Sequence, residues 1–509
     1  MSPVVTCALN IEGWIMKRVY FILLVVFLSL FLMYVHINTS KNELIFFKGE
    51  SREIRKKKLE EDLEYFENVM LKKYQREHRN ISDDNFKKEI NNLRLKLDNL
   101  TDNEFVVEIQ RIMSMFREGH LSFNILNQAL LPFESKVFDD GIYIIRTEKE
   151  YEKYIYYKIL AINDIDINTI LKKIENIVSG DSSKCLKYGV DKYINNVDYL
   201  LGLGIVKNIN NVKLSIEKNG EVIDVVFKTK INRDIEVKKE VFSEIEDYNN
   251  IKLKMKQKVL DIFENLDDEK LKKYNLNLEQ LLNEIEKFDY ISYYTTSGVF
   301  LKLGDIPYNL DRNKAYDFKF FPESDAVVFQ YNKCEDEEIE NLKSFSKKFF
   351  DYIESNKKIF RIKNIIVDLR YNSGGSSLVI LPFLIDLENY LKMNQDIRLS
   401  VIIGRNTFSA GADAFYQFKT KFKNVKSYGE ELSGGIYASG DITTDILPNS
   451  KLIFSYGQRF INSIDKRFFT KKEIFENVIS PDIFIKQTIL DYEKNKDFVL
   501  EKILKLIKN

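Results

Sequence analysis

Little in this chain invites metal chemistry. Its 509 residues include only three cysteines and three histidines. Cys7, Cys185 and Cys334 lie far apart, and no pair has the spacing of a zinc site. A single bridge between Cys185 and Cys334 stays open, but nothing in the spacing calls for it. Neither charge is in excess, with 77 Lys plus Arg against 77 Asp plus Glu. A balanced chain gives no reason to propose nucleic acid as a partner. Seven prolines and no long Gly/Ser tract leave the linkers short or charged, and no repeat recurs at solenoid periods. Apolar residues, by contrast, are plentiful: 44% of the chain, enough for sizeable cores and against global disorder. The length calls for two to four domains.

Val19 to Val35 is an uncharged apolar run preceded by Lys17 and Arg18. It is slightly short of the roughly 20 residues a membrane span needs, with Tyr20 and Tyr34 suited to the two interfaces. The basic flank predicts a cytoplasmic amino end and a body outside the membrane. No small-residue cleavage site follows Val35, so an uncleaved anchor is expected over residues 1–40, with a cleaved signal peptide and a secreted body as the rival. Cys7 then falls on the other side of the membrane from the rest.

Residues 41–130 carry a basic linker and then helical periodicity. Leu63, Phe66, Val69, Met70 and Tyr74 share one stripe, and Asn103 to Phe116 forms a further amphipathic helix. This helical layer leads into His120. Residues 131–240 turn to β structure, with strands at Gly141–Arg146 and Ile155–Ile162. Asn219-Gly220 between two strand patterns is a strong hairpin signal. Residues 241–320 read as a connection of charged helices, such as Leu260 to Glu286, and alternating strands from Tyr290 to Leu303.

From 321 to 509 strands and helices alternate: strand 326–331, helix 337–355, strand 362–369, helix 376–391, strand 398–403, helix 410–422, strand 425–429. This pattern predicts an α/β layer with partly parallel strands, α+β for the chain as a whole. Ligands in such sheets gather at the carboxyl ends of the strands. The tail from Glu493 to Ile507 is amphipathic and expected to pack on the body.

Two of those strand ends carry candidate chemistry. Ser409 stands between a strand and a helix, where unpaired N–H groups and the helix dipole favour developing negative charge. That suits a nucleophile with an oxyanion hole; the plainer reading is a helix N-cap. After the buried strand 365–369, Gly374 and Gly375 allow close backbone approach and can offer N–H donors. The plainer reading is an ordinary turn.

Taken in order, these segments resemble peptidase family S41, the C-terminal processing and tricorn-type serine proteases. Phe116-Arg-Glu-Gly-His120 resembles the "DGH" segment and Val367-Asp-Leu-Arg-Tyr-Asn-Ser-Gly-Gly375 the "DLRxNxGG" signature. Thr407-Phe-Ser-Ala410 resembles the nucleophile motif. Gly429-Glu430 with Ser433-Gly-Gly435 is similar to the "GExTGG" turn, and Glu476-Asn477 with Pro481-Asp482 to the closing element. The matches run from about residue 60 to 485. The resemblance implies a catalytic domain with a mixed sheet flanked by helices, an N-terminal helical layer and a smaller β-rich domain. Ile159 to Asp166 resembles a strand of the PDZ module such proteases often carry.

The resemblance also implies roles. Ser409 is the nucleophile. No lysine occupies the turn after it where the Ser–Lys branch has one, so the His-using tricorn branch fits better. His120 is the expected base, since His36 falls at the membrane edge and His78 in a charged helix end. Glu476 is expected to orient His120, with Glu473 nearby as the other candidate. The N–H of Ala410 and of Gly374 or Gly375 would hold the oxyanion. Asp368 and Arg370 look like a structural anchor of the glycine turn. The expected substrate is a peptide or protein, and this chemistry calls for no metal or organic cofactor. The rival reading is a catalytically silent relative that binds peptides or a surface partner.

Overall fold

The structure is a computed structural model. It describes residues 46–74, 80–125, 128–231, 314–337, 340–357, 361–461, 466–494 and 496–508. The apolar run at 19–35, His36, His78, Cys7 and the segments 260–286 and 290–303 lie outside the described residues. Among the described residues no helix is long and apolar enough to cross a membrane. Cys185 and Cys334 are both free and buried.

Three helices open the described chain: α1 (Arg52–Lys72), α2 (Asp83–Lys96) and α3 (Asp102–Ser114). Each begins at a Ser or Thr whose hydroxyl accepts an N–H of the first turn, and Thr101 with Glu104 forms a capping box. A cap of this kind is worth about 1 kcal/mol. Leu63, Phe66, Val69 and Met70 of α1 are buried, as the apolar stripe requires.

After α3 comes a short strand, β1 (Ser122–Asn124). Next is an antiparallel sheet whose main strands are β2 (Phe133–Phe138), β3 (Gly141–Thr147), β4 (Lys158–Ile162), β5 (Asn211–Lys218) and β6 (Glu221–Lys228), in that spatial order. The β5–β6 hairpin closes with Lys218 opposite Glu221. Asn219 and Gly220 both have positive φ, 55° and 85°, as the two-residue turn demands. Helix α4 (Ser183–Gly189) crosses between β4 and β5.

The later sheet has six strands: β7 (Tyr316–Phe321), β8 (Ala326–Tyr331), β9 (Asn364–Asp368), β10 (Arg398–Ile403), β11 (Lys426–Gly429) and, at the far edge, a strand at Ile483–Phe484. Only the β7–β8 pair is antiparallel; all other neighbours run parallel. Its central strands are buried on both faces, which is why they read as continuous apolar runs rather than alternating ones. Alternate residues serve different layers. Val327, Phe329, Ile365, Val367, Val401 and Ile403 pack with the crossover helices α5 (Leu342–Asn356), α6 (Leu381–Met393) and α7 (Ala410–Lys421). Val328, Ile366 and Ile402 pack with Val499, Leu500, Ile503 and Ile507. Those four residues belong to the tail helix at Phe498–Lys508.

Two helices start later than the alternation suggests. Helix α5 begins at Leu342 because the Asn341 side chain accepts the Ser344 N–H and caps it. Helix α6 begins at Leu381, with Pro382 in its first turn, where a missing N–H costs nothing. A hairpin of strands at Ala438–Ile446 and Ile453–Ile461 pairs with β1. Buried Asp62 of α1 accepts the N–H groups of Asn449 and Ser450 at its tip, at 2.7 and 2.8 Å. The helical layer is thereby tied to a segment nearly 390 residues later.

Arg370 is the other long-range tie. Its guanidinium bonds Asp368 through Nε and Nη2, at 3.0 and 2.6 Å, and Asp497 through Nη1 and Nη2, at 2.7 and 2.8 Å. Asp497 in turn accepts the N–H of Leu500 in the first turn of the tail helix. Replacing Arg370 with Met strands two buried carboxylates, so a loss of roughly 3–5 kcal/mol is expected. Urea unfolding of R370M against wild type measures it; a loss under about 1 kcal/mol, the level of an exposed pair, would mean the clamp does not hold the tail helix.

Candidate active site

Ser409 sits where β10 gives way to α7, with φ 51° and ψ −127° and no capping hydrogen bond from its side chain. A serine that merely capped the helix would have extended angles and accept an N–H; this one does neither. This strained strand-to-helix turn has the backbone form of a nucleophile elbow. Thr407 holds the elbow from behind: its hydroxyl donates to Leu369 O at 2.7 Å and accepts the Gly404 N–H at 3.0 Å.

The glycine turn lies against this serine. Gly374 and Gly375 have φ of 117° and 127°. A Cβ on Gly374 would stand 2.8 Å from Ser409 Cβ and 3.2 Å from both Ser409 Oγ and Ala410 N. On Gly375 it would meet Cys334 O at 2.4 Å. Only glycine permits this approach. The Gly374 N–H is committed to Asn372 Oδ1 at 3.0 Å, which takes it out of the expected oxyanion set. Cys334 N–H donates to Gly374 O, and Ser376 N–H to Cys334 O. The Gly375 N–H lies between these two bonds, and the Ala410 N–H opens the first turn of α7.

Asn372, part of the motif but given no role from sequence, organises the turn. It is fully buried. Its side chain donates to Tyr331 O at the end of β8 and accepts from Gly374 N. Its backbone carbonyl accepts the N–H of Phe408 at 2.9 Å. One residue therefore joins three strand ends.

His120 reaches this place from the helical layer. Its ring is 9% exposed and lies against the Phe408 ring, with centroids 4.5 Å apart. Ser409 is the next residue. The structure thus brings the imidazole beside the elbow, but His120 Nε2 is buried with no hydrogen-bond partner. No hydrogen bond joins His120 Nε2 to Ser409 Oγ.

The partner of His120 Nδ1 is not the expected Glu476. It is Glu118, two residues away, at 3.0 Å, whose Oε1 also accepts the His120 backbone N–H at 2.8 Å. Glu476 ends the short helix Lys471–Glu476, with its side chain 43% exposed and Lys472 4.0 Å away. Its neighbour Asn477 turns inward instead, donating to Asp181 O and Tyr437 O and accepting from Tyr437 N. Glu473, the other candidate, is spent on a capping box with Thr470 and on the Ser480 N–H. The reason is local: Asn477 adopts left-handed angles to end the helix, so it and not Glu476 faces the site.

Sequence reasoning also missed Asp181. It accepts the Gly119 N–H at 2.9 Å, and a Cβ on Gly119 would meet Asp181 Oδ2 at 2.8 Å and the Phe408 ring at 3.0 Å. The glycine beside the histidine is there to admit these two groups. Burial would lower the His120 pKa, but the hydrogen bond and charge of Glu118, then the charge of Asp181, leave it raised above 6.5. No motif marks Asp181; the signal for Glu118 was only its place in the "DGH" match.

No protein-family model matches the chain, and no curated protein matches its sequence. Solved structures do match in shape. Mature CPAF complexed with lactacystin aligns at a TM-score of 0.56 and 11% identity, covering 89% of this chain and 98% of that one. A serine-to-alanine mutant of CPAF aligns at 0.55 and 12%, covering 89% and 97%. Mature CPAF gives 0.51 and 11% over the same shares. At such identities the likeness shows a shared fold, α/β with several sheets, the fold class expected from the sequence.

Two outcomes follow. Gly374→Ala should fold yet displace Ser409, cutting the rate of Ser409 modification by an activated electrophile roughly 100-fold; an unchanged rate would mean the turn does not abut the serine in solution. Glu118→Gln removes what raises the imidazole, so His120 should titrate at lower pH by NMR. The sign is consistent: a raised histidine stabilises the fold below its unfolded pKa, and that stabilisation is lost as pH rises through the folded one. An unmoved titration point would exclude the Glu118 pairing.

Proposed function

We propose that the chain is a serine-type peptidase. The observation that carries this reading is the strained Ser409 elbow, set against a double-glycine turn and beside an imidazole already oriented by a carboxylate. Ser409 Oγ attacks the carbonyl carbon of a peptide while His120 Nε2 takes its proton. The N–H groups of Ala410 and Gly375 stabilise the oxyanion, each worth roughly 3–4 kcal/mol of barrier. As the C–N bond breaks, the imidazolium returns the proton to the leaving amine. Water then attacks the acyl-enzyme with His120 again as base, freeing the acid and Ser409. Glu118 fixes the Nδ1–H tautomer, so that Nε2 is the nitrogen that faces the serine.

The Nε2–Oγ bond forms on substrate binding in this reading, since catalytic hydrogen bonds are often long before the Michaelis complex. Its absence here also favours the second reading, a silent S41-like protein that binds peptides. Two further parts belong to the proposal: a peptide or protein substrate, and a membrane tether at residues 19–35 holding the body on the extracytoplasmic side.

A fluorophosphonate probe separates the readings. The expected result is labelling of wild type and Ser433→Ala but not of Ser409→Ala. Glu118→Gln should lower the labelling rate between roughly 100- and 10,000-fold, the range for losing an acid that sets the imidazole tautomer. Glu476→Gln should stay within about twofold, as suits an exposed carboxylate whose ion pair is worth little. Folded wild-type protein that does not label would favour the silent binder, and equal losses in E118Q and E476Q would restore Glu476 to the triad.

A further inference from the structure

The residue that joins nucleophile and base has no polar atom in its side chain. Phe408 directly precedes Ser409. Its backbone is held on both sides: the N–H donates to Asn372 O at 2.9 Å, and the carbonyl accepts the Gly411 N–H at 2.9 Å. Its ring is half-buried and meets two further segments. The imidazole of His120 faces it, with centroids 4.5 Å apart and planes inclined by 36°. A Cβ on Gly119 would stand 3.0 Å from Cε2 and Cζ of the ring, and one on Gly434 would stand 3.3 Å from Cδ2. Two glycines from two separate turns thus omit a side chain where this ring sits.

The imidazole needs more than its carboxylate to be fixed. Glu118 holds Nδ1 at 3.0 Å, but one hydrogen bond leaves the plane of the ring free to rock about that contact. A second ring against its face removes this freedom, and inclined ring pairs at such a separation are favourable beyond the area they bury.

We propose that Phe408 is a positioning residue for His120: anchored through its backbone to the glycine turn and to the first turn of α7, its ring fixes the plane of the imidazole relative to Ser409. The base is thereby referenced to the nucleophile's own neighbour in sequence. Nε2 then reaches Oγ by sliding within that plane when a substrate binds. The effect on rate rests on the peptidase reading; the ring contact does not.

Two substitutions in the full chain test this. Phe408→Ala removes the wall, and Phe408→Leu refills most of the space without a ring. In fluorophosphonate labelling, F408A should lower the limiting rate at least about tenfold with the half-saturating probe concentration within about twofold, because a misplaced base costs rate rather than binding. The limiting rate of F408L should return to within about threefold of wild type, since apolar swaps of similar volume are tolerated best. NMR supplies an arm that needs no activity. The His120 ring resonances, assigned by their absence in His120→Gln, should move in F408L as the neighbouring aromatic ring is lost.

A limiting rate in F408A equal to wild type, a loss carried wholly by weaker probe binding, or F408L as slow as F408A would each overturn the positioning role. His120 resonances that do not move in F408L would overturn the ring contact itself. If F408A does not fold, Phe408→Val takes its place, with an expected loss of at least about fivefold. Wild type that fails to label sinks the peptidase reading, while the NMR arm continues to report on Phe408.

Discussion

The buried amide of Asn372 is the constraint on which the rest of the site depends. The residue's side chain bonds Tyr331 O and Gly374 N, and its backbone carbonyl accepts the Phe408 N–H, so that it joins the ends of three neighbouring strands. Each such buried bond is worth about 1 kcal/mol net, and an orphaned partner costs more. Their greater effect is geometric. They set the glycine turn so close to Ser409 that no Cβ fits between them. The Ser409 strain is stored against this scaffold, with Thr407 and the Arg370 clamp over-determining the surrounding loops.

The acid side of the site obeys a different logic. His120 arrives from a separate layer, so its orientation cannot be set by the sheet. It is set by the loop that carries it, through Glu118, while Asp181 accepts the Gly119 N–H of the same loop. Phe408 completes the enclosure by covering the imidazole face. Buried polar groups at a layer junction are costly unless each is satisfied; here Glu118 Oε2, Asp181 Oδ2 and His120 Nε2 are left unsatisfied.

Much of the architecture was legible in the chain. Strand Arg398–Ile403 ends where its apolar run ends. The Asn219-Gly220 turn follows from two residues that tolerate positive φ. Buried parallel strands announce themselves as Ile- and Val-rich runs, and the tail helix as an amphipathic stripe. The helix starts at Leu342 and Leu381 were less legible, because a cap and a proline set them rather than periodicity. The site divides in the same way. Ser409, the glycine pair and His120 could be singled out only through the family resemblance; read alone, the serine passed for a helix cap and the glycines for an ordinary turn.

What the sequence alone determined is therefore the local part: which segments are strands, which helices, where strain and close approach need glycine or serine. Tertiary structure decided who partners whom. It gave the Gly374 N–H to Asn372, turned Asn477 inward and Glu476 out, and set Glu118 against the imidazole. The physical reason is range. Propensity, capping and turn chemistry act within a few residues and are written in neighbouring letters. A carboxylate's choice of partner depends on burial and on contacts made across as many as 388 residues of chain, and only the folded molecule contains them.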